Sequence, residues 1–139
     1  MKFSASMAAV LLAAATTGAQ AADTLAKIAE SGKITLAYRE SSVPFSYLAG
    51  GEKPIGFSVE LSNAVVDAVK KKLNKPKLEV ALMPVTSQNR IPLISNGTID
   101  LECGSTTNNT ARAKDVSFAI NHFYTGTRLL VKKSSKIKN

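Results

Sequence analysis

The hydrophobic pattern divides this chain into one largely apolar run and a series of short periodic segments. The run is Ala5 to Ala15, with Lys2 before it and the small-x-small triplet Ala19-Gln20-Ala21 after it. A charged start, an alanine- and leucine-rich middle and that triplet predict a cleavable secretory signal over residues 1–21. The run is too short to cross roughly 30 Å of hydrocarbon as a helix, and it leads directly into Thr16, Thr17 and Gln20. No cysteine near the cleavage site offers a lipid attachment point, so the mature product is expected to start near Ala22 as a soluble exported domain.

Beyond the signal, Asp23 or Thr24 is placed to cap a short helix through Leu25 and Ile28, with Gly32 as its stop. Lys33 to Tyr38 alternates, with Ile34 and Leu36 facing one way, and predicts a first strand. Arg39 to Phe57 is a long connection with turn signals at Pro44, Gly50-Gly51 and Pro54, and connections of that length are usually functional. Ser58 is a candidate N-cap for a helix whose apolar stripe reads Leu61, Ala64, Val65, Ala68 and Val69 and which ends in Lys70 to Lys72 and Asn74. Leu78, Val80 and Leu82 predict a second strand ending at Pro84. Thr86 or Ser87 opens a helix carrying Ile91, Leu93 and Ile94 to a stop at Asn96-Gly97. Ile99 to Cys103 predicts a third strand, Asn108 to Lys114 a brief helix and Tyr124 to Lys132 a fourth strand.

This alternation of strands and helices argues for an α/β domain with a mainly parallel sheet flanked by helices. In such sheets a ligand sits beyond the carboxyl ends of the strands. That rule singles out Arg39 to Tyr47, Thr86 to Arg90 and Gly104 to Arg112.

Composition narrows the partners. Of 139 residues, the 118 left after removal of 21 suit one small domain with its own core. The formal charge of +8 loses only Lys2 with the leader. A nucleic-acid partner is disfavoured, because Lys70 to Lys72 end a helix, where cations complement the dipole, and Lys132, Lys133, Lys136 and Lys138 lie in a polar tail. Neither cluster interleaves with aromatic residues as a base-stacking platform does. Cys103 is the only cysteine; of pairing with another chain, loss of a partner or burial, its place at a strand end favours burial. His122 is the only histidine, and neither a catalytic triad nor a metal-ligand spacing surrounds it, so no catalytic residue, metal or cofactor is expected.

The three strand exits share their chemistry. Arg39 stands with Ser41 and Ser42; Arg90 with Thr86, Ser87, Gln88 and Asn89; and Arg112 follows Gly104-Ser105-Thr106-Thr107-Asn108-Asn109. A guanidinium forks onto a carboxylate or phosphate, Gly104 lets the backbone approach a ligand, and hydroxyls and amides supply the remaining hydrogen bonds. Taken singly, each arginine reads as an ordinary surface residue. Three similar clusters at equivalent exits point instead to a small, polar, multiply anionic ligand.

Three blocks carry a family resemblance: Arg39-Glu40-Ser41-Ser42-Val43-Pro44-Phe45-Ser46-Tyr47, Thr86-Ser87-Gln88-Asn89-Arg90-Ile91-Pro92-Leu93 and Glu102-Cys103-Gly104-Ser105-Thr106-Thr107-Asn108-Asn109. They closely resemble the periplasmic glutamate/aspartate-binding proteins of bacterial ABC importers, and the likeness runs from about Leu25 through Lys133. The resemblance implies a two-lobed periplasmic-binding-protein-like (type II) fold that closes on its ligand. It implies that Arg112 pairs with the α-carboxylate near the Thr107 N–H, that Ser105 and Thr107 contact the α-amino and α-carboxyl groups, and that Arg39, Ser87 and Arg90 take the side-chain carboxylate. It implies a monomer in the periplasm that hands L-glutamate or L-aspartate to an inner-membrane ABC permease and rejects glutamine.

Members of that family run to roughly twice this length, so residues 22–133 are expected to be the first lobe, without its return segment, and 134–139 the start of the crossover to an absent second lobe. The family's ammonium-binding acidic residue and any partner for Cys103 fall in the missing part. The same scaffold also carries periplasmic dehydratases, lobes of cell-wall lytic enzymes and sensing receptors. An enzyme needs an acid facing the pocket, and Glu40, Glu60 and Glu102 are the candidates, Glu40 and Glu102 being expected to be structural or solvated.

Overall fold

In a computed structural model, which describes residues 23–126 and 128–137, the first helix, α1 (Thr24–Ser31), begins and ends on the expected residues. Asp23 Oδ1 accepts from the Leu25 N–H at 3.0 Å, and Gly32 closes the helix at φ 68°, a left-handed position that a side chain disfavours. The predicted secretory signal lies outside the described residues. Strand β1 (Lys33–Tyr38) is followed by a small antiparallel hairpin, β2 (Ser41–Ser42) and β3 (Ser46–Tyr47), inside the long connection. Then come α2 (Phe57–Lys72), β4 (Glu79–Pro84), α3 (Arg90–Ser95) and β5 (Leu101–Glu102).

The main sheet is parallel throughout, in the order β4-β1-β5, so β1 is central. Both edges of β1 are therefore paired, and both its faces are covered. Ile34 and Leu36 pack with Ile28, Val66 and Leu78 on the side of α1 and α2. Ala37 packs with Val85 and Ile99 on the other side, joined by Met83, Leu93 and Ile94. The register sets Ala37 opposite Glu102 and Tyr38 opposite Pro84, which aligns the three strand exits along one edge. Asp100 fastens the layers together: its Oδ1 accepts from Lys27 Nζ of α1, and its Oδ2 from the Thr35 N–H of β1, both at 2.8 Å.

Three local expectations are corrected. Helix α2 is capped at Gly56 rather than Ser58, and its buried residues are Ser58, Ser62 and Val66. Of the expected stripe, Ala64, Val65 and Ala68 are exposed, while Val69 does pack on the core. The reason lies at the helix start. The N–H groups of Phe57 and Ser58 donate to the carbonyls of Pro44 and Phe45 at 3.0 and 2.8 Å, and this pins the rotation of the helix before its apolar stripe can choose it. Small serines on the pinned face allow the close approach.

Asn108 to Lys114 contains only a single 3-10 turn at Arg112–Lys114. Among the described residues of Tyr124 to Lys132 there is no strand; apolar alternation there meets no neighbouring strand whose backbone groups could pair with it.

Candidate ligand-binding site

Each site residue is delivered by the end of an element at the carboxyl edge of the sheet. Arg39 is the first residue beyond β1. Its backbone is held by Ser46, whose buried Oγ accepts from the Arg39 N–H at 2.8 Å and donates to the Arg39 carbonyl at 3.0 Å. The guanidinium then reaches across the exit of β4, where Nη1 donates to Ser87 Oγ at 3.0 Å.

Ser87 and Arg90 owe their places to the turn before α3. Thr86 Oγ1 accepts from the N–H groups of Gln88 and Asn89 at 3.3 and 3.2 Å, and Asn89 Oδ1 accepts from the Thr86 N–H at 2.8 Å. This reciprocal closure fixes the turn that leads into α3. Arg90, the first residue of α3, is thereby turned inward and is only 4% exposed.

The third exit supplies Gly104 to Thr107. A Cβ on Gly104 would collide with Glu102 Oε1 and stand 3.6 Å from Arg39 Cγ, so the glycine leaves room for the Glu102 carboxylate where the loop meets Arg39. Thr106 Oγ1 donates to Glu102 Oε2 at 2.7 Å. Arg112 folds back over the loop, with Nη1 donating to the Thr107 carbonyl at 2.9 Å and the Arg112 N–H donating to Asn109 Oδ1 at 3.0 Å. Ser105 and Thr107 are exposed on the same loop.

The result is a continuous cluster. Burial lowers the pKa of the Arg90 guanidinium; the nearby Glu102 carboxylate opposes that, and the positive charges of Arg39 and Arg112 add to it. Arginine nonetheless remains protonated in proteins, so three cations share one corner of the sheet. Such a corner attracts anions and, being forked, prefers carboxylate or phosphate groups to point ions.

Six residues singled out from the sequence, Arg39, Ser87, Arg90, Ser105, Thr107 and Arg112, line this one edge. Sequence reasoning undervalued Glu102, whose side chain is only 4% exposed and lies with Oε1 3.7 Å from Arg90 Nη1. The available signal was its position, at the last residue of a strand and opposite an arginine-bearing exit.

A cavity of about 600 Å³ adjoins the cluster without containing its arginines. It is bounded by Phe45, Leu101, Phe118 and Phe123 and by the backbone of Gly104 to Asn108. No lysine or arginine lines that cavity. The exposed His122 packs its ring near that of Phe57, with centroids 5.8 Å apart. Cys103 is half-buried and unpaired, and burial pushes its thiol pKa up. Among the described residues no group of three His, Cys, Asp or Glu side chains is placed to hold a metal, and no helix is long and apolar enough to cross a membrane.

The profile of bacterial extracellular solute-binding proteins, family 3, matches residues 34–138. The chain is 59% identical over 129 residues to the glutamate/aspartate import solute-binding protein of Salmonella typhimurium, covering 92% of this chain and 43% of that one. It is likewise 59% identical over 119 residues to the protein of the same name from Escherichia coli, covering 86% of this chain and 39% of that one. The chain thus spans about two-fifths of the length of these relatives. Among solved structures, the arginine-bound form of domain 1 from TmArgBP superposes with a TM-score of 0.60 at 21% identity, covering 71% of each chain, which shows the shared fold of a periplasmic-binding-protein (type II) lobe. With the family profile spanning both the sheet and the arginine cluster, the chain belongs to the bacterial extracellular solute-binding proteins, family 3.

Proposed function

We propose that this chain is the ligand-capturing first lobe, residues 22–133, of a periplasmic solute-binding protein that collects L-glutamate and L-aspartate for an ABC importer. The observation that carries this reading is the convergence of Arg39, Arg90 and Arg112 on one corner of the sheet, with Arg39 bonded to the Ser87 hydroxyl and Arg112 to the Thr107 carbonyl. An amino-dicarboxylate has two anionic ends and so needs two cationic poles. Arg39 and Arg90, with Ser87, form the pole for the side-chain carboxylate. Arg112 with the Thr107 N–H forms the pole for the α-carboxylate, and the hydroxyls of Ser105 and Thr107 meet the α-amino and α-carboxyl groups. The names of the relatives from Salmonella typhimurium and Escherichia coli support the same ligands.

Capture rather than catalysis suits the site. Of the acids an enzyme would use, Glu40 and Glu60 are exposed, while Glu102 is committed to Arg90 and Thr106. In this reading the chain is a periplasmic monomer that delivers to an inner-membrane permease, which the import role in the names of the relatives supports. The residues from Ser134 onward lead towards the second lobe.

Titration of the isotope-labelled mature chain with L-glutamate, L-aspartate and L-glutamine, followed by NMR, tests the reading. Domain 1 of TmArgBP has an arginine-bound form, so a single lobe of this fold holds a ligand. For this chain we expect a dissociation constant on the order of 1 mM for the two acids, corresponding to about 4 kcal/mol. Shifts should centre on Arg39, Ser87, Ser105 and Thr107. Tighter binding of glutamine than of both acids would overturn the specificity.

A further inference from the structure

We infer that Glu102 is a positioning residue that sets the two poles of the site together: its carboxylate aims Arg90 and, through Thr106, fixes the Gly104–Thr107 loop. This rests on the amino-dicarboxylate reading above and names a residue that reading does not use.

The Glu102 and Arg90 side chains are 4% and 5% exposed, and each is the other's opposite charge. Arg90 Nε and Nη1 and Glu102 Oε1 are buried without a hydrogen-bond partner, while Nη1 and Oε1 stand 3.7 Å apart, beyond hydrogen-bond length. The pair is thus held by charge and packing rather than by a closed fork, which leaves donors of Arg90 unspent. Glu102 Oε2 is engaged on its other side by Thr106 Oγ1 at 2.7 Å. Gly104 gives the carboxylate its room, since a Cβ there would strike Oε1. One carboxylate therefore touches the arginine of one pole and the loop of the other.

Electrostatics makes the proposal decidable by sign. Arg90 is repelled by both Arg39 and Arg112. Deleting the negative charge of Glu102 makes the corner more cationic, and Coulomb attraction alone then predicts tighter binding of an anion. Loss of positioning predicts the opposite, because Arg90 swings away from its repelling neighbours and the loop loses its anchor.

The test is Glu102→Gln in the mature chain, a substitution that keeps the side-chain volume. The amide should weaken binding of L-glutamate at least fivefold, and the preference for L-glutamate over L-glutamine should fall by at least the same factor. A general loss of structure would leave that ratio unmoved. In the ligand-free protein, the Arg90 Nε–H resonance should be ordered and slow to exchange in the parent and averaged in the variant. Tighter or unchanged glutamate binding in the variant overturns the proposal, as does an Arg90 resonance that the substitution leaves as it was. If the parent itself shows no response to either acid, the dicarboxylate reading fails, and the Arg90 resonance alone decides whether Glu102 positions it.

Discussion

Arg39 Nη1 donates to Ser87 Oγ across 3.0 Å, joining the exit of the central strand to the turn after its neighbour, 48 residues further along the chain. Neither residue is buried, so the contact adds little to stability. Its consequence is orientation: a long, flexible side chain is presented at the edge of the sheet beside Gly104 and Arg90.

Arg39→Ala and Ser87→Ala are accordingly expected to separate binding from folding. An exposed polar contact of this kind is worth less than about 1 kcal/mol to the fold, so both variants should melt close to the parent. A charge-assisted hydrogen bond to a carboxylate is worth about 1.5–3 kcal/mol, so Arg39→Ala should lower glutamate affinity roughly tenfold or more, and Ser87→Ala by less. NMR titration read beside thermal melts checks both halves.

Asp100 should behave in the opposite way. Its carboxylate is 3% exposed and serves Lys27 and the Thr35 backbone with separate oxygens. Asp100→Asn replaces one of those acceptors by an amide donor facing either an ammonium or an N–H. A loss of about 1–3 kcal/mol is expected in urea unfolding, with the arginine corner unaltered.

Gly56 carries the junction that sets the rotation of α2. At φ 123° a Cβ there would stand 2.6 and 2.7 Å from the carbonyl oxygens of Phe45 and Pro44, which are backbone atoms and have no side chain to swing aside. Gly56→Ala should cost about 3 kcal/mol or more, through strain and overpacking together. Gly50, at φ 79° with open space around it, provides the control: its alanine variant should cost only about 1–2 kcal/mol. Denaturant melts of the two variants measure the difference.

The Cys103 thiol ties stability to pH in a definite direction. Burial raises its pKa in the folded chain, so on a rising pH scale the unfolded thiol loses its proton first. The contribution is fully present below the ordinary thiol value of about 8.5 and is lost as pH climbs through the folded value. Urea midpoints should therefore fall above that pH in the parent, and Cys103→Ser should flatten this part of the profile. At neutral pH the native thiol should react with iodoacetamide more slowly than in the unfolded chain.

Much of the fold was legible because its signals are local. Asp23 and Gly32 bound α1, and the alternation of Ile34 and Leu36 predicts β1; each depends on residues within a few positions of one another. The helix expected to open at Thr86 or Ser87 begins only at Arg90, because Thr86 and Asn89 first close a turn on each other. The face of α2 was not legible. Five apolar residues at helical spacing pointed to one side, yet backbone hydrogen bonds from Phe57 and Ser58 to the hairpin turned Ser58, Ser62 and Val66 inward. The apparent strand over Tyr124 to Lys132 failed for a related reason, since a strand needs a neighbour to accept its hydrogen bonds and none stands there among the described residues.

The sequence by itself determined the kind of chemistry and its approximate address. Alternating elements require a parallel sheet, a parallel sheet sends its strand exits to one edge, and an arginine stands at or shortly after each exit. Only the tertiary structure decided how those arginines are balanced. The strand register sets Glu102 opposite Ala37, just short of Arg39, and the turn at Thr86 swings Arg90 in to meet it. That pairing joins residues on two different elements, and its geometry comes from register and burial, which no local run of residues encodes.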